Sequence, residues 1–261
     1  MGAGATPRGD GGPASPLSPA GLLSPAGRVV MVSGASRGLG AAIARRLQAD
    51  GFRLSLGVRD PARVATGGGL APDEHVLLQR YDATEPATAD RWVEATLRRF
   101  GRLDGLVNNA GIHKQVTFNE GAEEVLDELW QVNVKGPFRL LRLALPHLKA
   151  SGQGRVVNIA STDAKRYRDS SVSVGYAMSK HALLALSHAA KFAGWEHGVR
   201  VTALCPGAID TELVAGLAGV TPRANRLAPE TVAEIVSLLF RLPNTATIAE
   251  LVVNTRLEST L

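Results

Sequence analysis

A single cysteine, Cys205, stands in the 261 residues, so no internal disulfide can form and no second thiolate is at hand for a zinc site. That scarcity fits a reducing, cytoplasmic setting, with Cys205 as core packing beside Pro206, and no metal is expected. Aromatic residues reach only 5% and interleave with no basic stretch. Binding of single-stranded nucleic acid uses stacked aromatics along a cationic track, so nucleic acid is set aside as a partner. Long apolar runs are missing too. Hydrophobic residues make up 45% of the chain, yet no uncharged apolar segment approaches the roughly 18 residues of a membrane span. We read the chain as soluble, with no membrane partner. Nor is there a block of like charge: the net charge is +5 and the pI near 9.7, but the basic residues are scattered and mostly Arg, as on a solvated surface.

What is present has a clear order. Residues 1–27 are rich in Gly, Pro, Ala and Ser, with Pro7, Pro13, Pro16, Pro19 and Pro25. They offer too few apolar side chains to offset the entropy of ordering, and read as a mobile tail. Leu17, Leu22 and Leu23 are too broken up by Pro and Ser for the apolar stretch of a signal peptide. Residues 28–261 suit one domain with a large core. There, short runs rich in β-branched residues alternate with segments of helical spacing. Candidate strands are Val29 to Ser33, Arg53 to Val58, Val76 to Arg80, Gly105 to Asn108, Arg155 to Ala160, Arg200 to Cys205 and Leu251 to Asn254. Helical spacing appears in Leu39, Ile43, Leu47; in Trp92, Val93, Ala95, Leu97; in Val125, Leu129, Val132; and from Tyr176 to Trp195. Strands buried on both faces and separated by helices predict a doubly wound α/β fold around a parallel sheet of about seven strands, Rossmann-like in architecture.

The first candidate strand runs into the turn Ser33 to Gly40, SGASRGLG, and straight on into a helical pattern. Glycines there permit a tight turn and close approach of backbone N–H groups to a pyrophosphate, which a helix N-terminus also favours. Far along the chain, Tyr176 and Lys180 lie four apart, on one face of a helix. A phenol loses its proton near pH 10 in water, and a fixed ammonium beside it would make it usable for acid/base work. Either feature alone also suits an ordinary loop or a solvated helix face.

Their succession is more specific. The glycine turn, Asn108-Asn109-Ala110-Gly111, Asn133, Ser161, Tyr176, Lys180 and Pro206-Gly207 follow one another in an order that resembles the short-chain dehydrogenase/reductase family, over Arg28 to about Asn254. The turn matches that family's T-G-x-x-x-G-x-G with Ser33 in place of Thr, and so keeps a hydroxyl. The resemblance implies a catalytic tetrad. Tyr176 would supply the proton, and Lys180 would lower the phenol pKa and bind the nicotinamide ribose. Ser161 would hydrogen-bond the substrate oxygen, and Asn133 would hold a water linking Lys180 to solvent. It also implies cofactor contacts from Gly34, Ser36, Arg37, Gly38, Leu39 and Gly40 in the turn. Further contacts are Asp82 and Ala83 near adenine, Asn109, Ala110 and Gly111 after the fourth strand, Tyr176 and Lys180 themselves, and Pro206, Gly207, Ile209 and Thr211 around the nicotinamide.

The acidic position that would bind the ribose of NAD falls on Val58, followed by Arg59, and with Arg37 this suits the phosphate of NADP(H) over NAD(H). Asp60, one position on, could occupy the ribose site in a shifted register or simply meet Arg63. Fourteen residues separate Ser161 from Tyr176, a longer loop than in many relatives, and Thr162 is the alternative hydroxyl. Lys165, Arg166, Tyr167 and Arg168 in that loop, with His113 and Lys114, point to an anionic carbonyl substrate or are solvated loop charges. The short segment from Thr211 to Pro229, with Gly216, Gly219 and Pro222, would leave the pocket relatively open. The expectation is an NADP(H)-dependent oxidoreductase interconverting a ketone or aldehyde and its alcohol, as a homo-oligomer, dimer or tetramer. The rivals are a dinucleotide sensor without turnover and an NAD-dependent alcohol dehydrogenase.

Overall fold

The computed structural model describes residues 21–66, 70–215 and 221–255. Seven strands form one sheet: β1 (Val29–Ser33), β2 (Arg53–Val58), β3 (Val76–Arg80), β4 (Gly105–Asn108), β5 (Arg155–Ile159), β6 (Arg200–Pro206) and β7 (Glu250–Val253). Their order across the sheet is β3-β2-β1-β4-β5-β6-β7, every pair parallel. The chain winds outward from β1 to β3, returns to place β4 on the other flank of β1, and winds outward again. That reversal opens a crevice above the carboxyl ends of β1 and β4, where such sheets bind ligands.

The helices are α1 (Gly38–Ala49), α2 (Pro61–Thr66), α3 (Pro86–Phe100), α4 (Glu123–Trp130), α5 (Gly136–Ala150), α6 (Val174–Gly194) and α7 (Pro229–Arg241). Strand alternation sorts the core into two layers. Val30 and Val32 of β1 pack with Ile43 and Leu47 of α1 and Val236 and Phe240 of α7. Val29 and Met31 face the other way, onto Trp92 of α3, Leu140 and Ala144 of α5 and Ala190 of α6. With both faces covered, β1 is apolar up to its last residue and wholly buried.

Small differences from the sequence reading have physical causes. β5 stops at Ile159; Ala160 still donates to the Leu204 carbonyl (2.7 Å), but the chain then turns away. β7 starts and ends one residue early. Leu23, inside the segment read as a mobile tail, is buried and its N–H donates to the Arg241 carbonyl at 2.6 Å. The packed chain therefore starts upstream of Arg28, while residues 1–20 lie outside the described part. Among the described residues no helix is long and apolar enough to cross a membrane.

Candidate active site

The glycine turn is fixed by β4. Ser33 Oγ accepts from the Asn109 and Ala110 N–H groups (both 3.0 Å) and donates to the Val107 carbonyl (3.2 Å). Asn109 Nδ2 donates to the Ser33 and Gly34 carbonyls at 3.0 and 3.2 Å. Gly34 has φ +67°, and a Cβ there would stand 2.9 Å from Ala110 Cα; at Gly40 it would stand 2.2 Å from the Gly34 carbonyl oxygen. Such a turn tolerates no side chain at either position. α1 then starts with no side chain capping its first N–H groups, so an anion such as a pyrophosphate fits the donors left over. Leu39 sits in the core and can offer a ligand only its backbone, while Ser36 and Arg37 are exposed. Arg37 is paired with Glu212, a partner not visible from the sequence. Gly38, with φ +54°, lies against the Thr211 side chain, so a Cβ would meet its methyl at 3.3 Å.

At the far end of the crevice Val58 is buried and Arg59 exposed. Asp60 Oδ1 accepts from the Arg63 N–H (3.1 Å) at the start of α2. Asp82 Oδ1 accepts from Thr84 N–H and Oγ (2.9 and 2.7 Å). Burial raises the Asp82 carboxyl, but these bonds together with Arg59 and Arg80 bring it below its ordinary value. Ala83 packs against Gly136, and Arg139 of α5 donates to its carbonyl at 2.7 Å. On the other flank the Gly207 N–H bonds the Val253 carbonyl (2.8 Å) directly after Pro206, and Ile209 bridges to Leu227. Gly111 lies beside both Asn133 Oδ1 and Lys180 Nζ, 3.3 and 3.7 Å from where its Cβ would be.

Tyr176, Lys180, Ser161 and Asn133 converge at the carboxyl end of β5, all buried. α6 starts at the right place because Ser173 caps it: its Oγ accepts from the Tyr176 N–H (3.2 Å) and donates to the Lys114 carbonyl (2.8 Å). Ser173 stands directly before the first helical residue, Val174, where an N-cap serine belongs. Lys180 Nζ donates to the Ile159 carbonyl (2.8 Å) and stands 5.6 Å from the Tyr176 ring centroid. Burial lowers the ammonium to about 8. Burial likewise pushes the Tyr176 phenol up, Asp163 adds to that, and a hydrogen bond with Ser161 opposes it. The expected lowering by Lys180 is not found; burial sets the direction, and the only opposing influence is Ser161. Ser161, rather than Thr162, is the hydroxyl that reaches Tyr176, and its Oγ also accepts from the Asp163 N–H (3.1 Å). Within this loop the Tyr167 hydroxyl donates to the Val172 carbonyl (2.8 Å) and closes a turn.

Asn133 sits in a π-helical turn, Gln131–Lys135, between α4 and α5. Its Nδ2 donates to the Ile112 carbonyl and Ser179 Oγ (both 3.0 Å), and its Oδ1 accepts from the Ile112 N–H (2.9 Å). Both amide protons are used, which leaves one Oδ1 lone pair for a water. The loop charges are matched: Lys165 with Glu250, Lys114 with Glu128, Arg168 with Asp169, and Arg166 also has a partner. Gly216 and Gly219 lie outside the described residues.

The reversal beside β1, the glycine turn and the polar cluster above β5 define a doubly wound α/β protein of the dinucleotide-binding type. Residues 28–219 match the short chain dehydrogenase family model, and the chain belongs to that oxidoreductase family. It is similar to agropine synthesis reductase of Rhizobium rhizogenes, 37% identical over 84% of this chain and 50% of that protein; it spans only half that relative's length. A 3-ketoacyl-(acyl-carrier-protein) reductase of Brucella melitensis complexed with NADH superposes with TM-score 0.79 and 31% identity, over 89% of this chain and 98% of that one. An alcohol dehydrogenase of Thermococcus sibiricus complexed with 5-hydroxy-NADP gives TM-score 0.74 and 31% identity, over 87% and 95%.

Proposed function

We propose that the chain interconverts a ketone or aldehyde and the corresponding alcohol with NADP(H), using Tyr176, Lys180, Ser161 and Asn133. The observation that carries this reading is the meeting of the Tyr176 and Ser161 hydroxyls above β5 with Lys180 beside the phenol ring. When bound, the dinucleotide supplies or accepts the hydride. Tyr176, protonated at neutral pH as a phenol and made a weaker acid still by its burial, gives its proton to the carbonyl oxygen as negative charge develops there. Ser161 donates a second hydrogen bond to the same oxygen. Lys180 spends one N–H on Ile159 and has two left to orient a ribose. Asn133 clamps Ile112 and so holds the loop after β4 in place.

The preference for NADP(H) over NAD(H) is supported by Val58 at the acidic position, by Asp60 being taken up at the start of α2, and by exposed Arg59 and Arg37. The similar proteins include complexes of both cofactor types. A homo-oligomer in the cytoplasm is part of the same proposal, supported by half-exposed Phe138, largely exposed Phe192 and the lone buried Cys205.

The test follows NADPH absorbance against a panel of carbonyls, with NADH in parallel. Tyr176→Phe is expected to lower turnover by about 100-fold or more while the NADPH Kd stays within about twofold, since the ring packing is kept. NADPH binding without consumption by any carbonyl would make the chain a sensor, and undiminished turnover in the variant would remove Tyr176 from its role.

A further inference from the structure

The imidazole of His113 lies on the Tyr176 ring, centroids 4.5 Å apart and planes inclined by 44°. It comes from the loop after β4, two residues beyond Gly111, while Tyr176 comes from α6, so two separate elements bring the rings together. One ring nitrogen, Nδ1, is shielded from solvent and has no hydrogen-bond partner among the described residues. A buried polar atom left unpaired costs about 1–3 kcal/mol, so a partner from outside the chain is called for, and a bound ligand is one.

Burial, and after it the charge of Lys180, hold the imidazole below its ordinary pKa. A neutral imidazole has one donor and one acceptor nitrogen. It can donate to a carbonyl oxygen and either donate to or accept from a hydroxyl, so it suits these neutral groups, whereas a carboxylate is bound more strongly by a cation. The surrounding charges agree. Among the described residues Lys114, Lys165 and Arg168 each face a carboxylate, so these three cations are already matched and not free for an anionic substrate.

We infer that His113 recognises a second oxygen of the substrate, on the carbon next to the reacting carbonyl, so that the substrate class is a neutral oxygenated carbonyl compound such as an α-hydroxy ketone. In this reading Tyr176 and Ser161 hold the reacting oxygen, and His113 reaches the neighbouring one from its place on the same phenol ring. Half a turn of the imidazole about its Cβ–Cγ bond exchanges Nδ1 with a ring carbon and brings the unpaired nitrogen to the opposite edge. This inference rests on the reductase reading and names its substrate.

Hydroxyacetone and butanone differ by a hydroxyl in place of a methyl and make the test. With NADPH we expect kcat/KM for hydroxyacetone to exceed that for butanone by about tenfold or more. His113→Phe keeps an aromatic ring on Tyr176 but removes both nitrogens, and should bring the ratio close to one, chiefly through KM. His113→Gln, which restores a donor and an acceptor, should recover part of it. NADPH affinity of each variant, read by fluorescence, reports that the cofactor site is intact. A ratio near one in the parent enzyme, or a ratio unchanged in His113→Phe, overturns the role of His113 and leaves the reductase reading standing. Failure to reduce any carbonyl overturns both.

Discussion

Lys180 is an ammonium buried among apolar and backbone atoms, with the Ile159 carbonyl as its hydrogen-bond acceptor. Its pKa is lowered to about 8 in the folded chain, against about 10.4 in an unfolded one. Below pH 8 both states carry the proton and the folded state bears the cost of burying it. Between about pH 8 and about 10 the folded state has released the proton and the unfolded state has not, so stability rises with pH through this group. Lys180→Met has no such group. Urea midpoints at about pH 7.5 and about pH 9.5 should show the parent gaining on the variant by on the order of 1–3 kcal/mol. An unchanged difference would mean that the ammonium keeps its proton through a partner outside the described residues. The face shared by Tyr176 and Lys180 follows from their spacing, but the effect of burial on each does not. Desolvation depends on Ser161, Ile159 and His113, which are 15, 17 and 63 residues from Tyr176 along the chain, so no local pattern reports it. The pairing of His113 with Tyr176 is hidden for the same reason.

At the level of elements, strands were the most legible parts because each is a short apolar run closed by polar or glycine residues, and β1 to β4 keep the bounds read from the sequence. Helices α2, α5 and α7 were harder to read. α2 has six residues, and α5 carries Pro137 at its start and Pro146 inside, which blur the helical period. The π-helical turn holding Asn133 is invisible to any count of apolar spacing, since one wider turn barely alters the periodicity.

The foot of the sheet is held by a device that sequence does not show at all. Arg155 opens β5 buried, and all its donors go to uncharged oxygens: Nε and Nη2 to the Leu242 carbonyl (3.1 and 2.6 Å), Nη2 also to Asn244 Oδ1 (2.9 Å), and Nη1 to the Gly154 and Gly198 carbonyls (2.8 and 3.1 Å). Arg28 donates from Nη1 to the Phe240 carbonyl (2.7 Å) and from Nη2 to the Gln153 carbonyl (3.2 Å). Burial lowers Arg155 to about 9, with Arg28 and Arg200 adding to it. The carbonyls at and just beyond the end of α7 supply the negative end of a helix dipole that offsets this charge. Arg155→Met keeps much of the volume and strips these carbonyls of their partner, so we expect a loss of about 3 kcal/mol in urea unfolding. The NADPH Kd should not change, since the proposed cofactor site is at the opposite end of the sheet. A loss below about 0.5 kcal/mol would show that water serves the carbonyls equally well.

Across the whole molecule, the crevice divides the sheet into a β1–β3 side, which carries the glycine turn, and a β4–β7 side, which carries the cluster proposed to be catalytic. The contacts from Ser33 and Asn109 join the two sides beneath the crevice. Arg37 and Glu212 join them at the surface, each side chain about two-thirds exposed, next to the contact of Gly38 with Thr211. If Arg37 binds the 2′-phosphate of NADP(H), it must first leave Glu212, so the carboxylate competes with the cofactor for one guanidinium. NADH has no such phosphate and meets no such competition. An exposed ion pair contributes up to about 1 kcal/mol, which limits the effect to about fivefold. Glu212→Gln should therefore tighten NADPH by up to about fivefold and leave the NADH Kd unchanged. Raising the salt screens the Arg37–Glu212 pair in the parent, and it weakens phosphate binding in both proteins. The advantage of the variant should then be largest at low ionic strength and fade as salt is added. Equal tightening of both cofactors would show instead that Glu212 repels the pyrophosphate common to them. No change for either would show that Arg37 does not contact the 2′-phosphate, and would leave Arg59 to carry the preference.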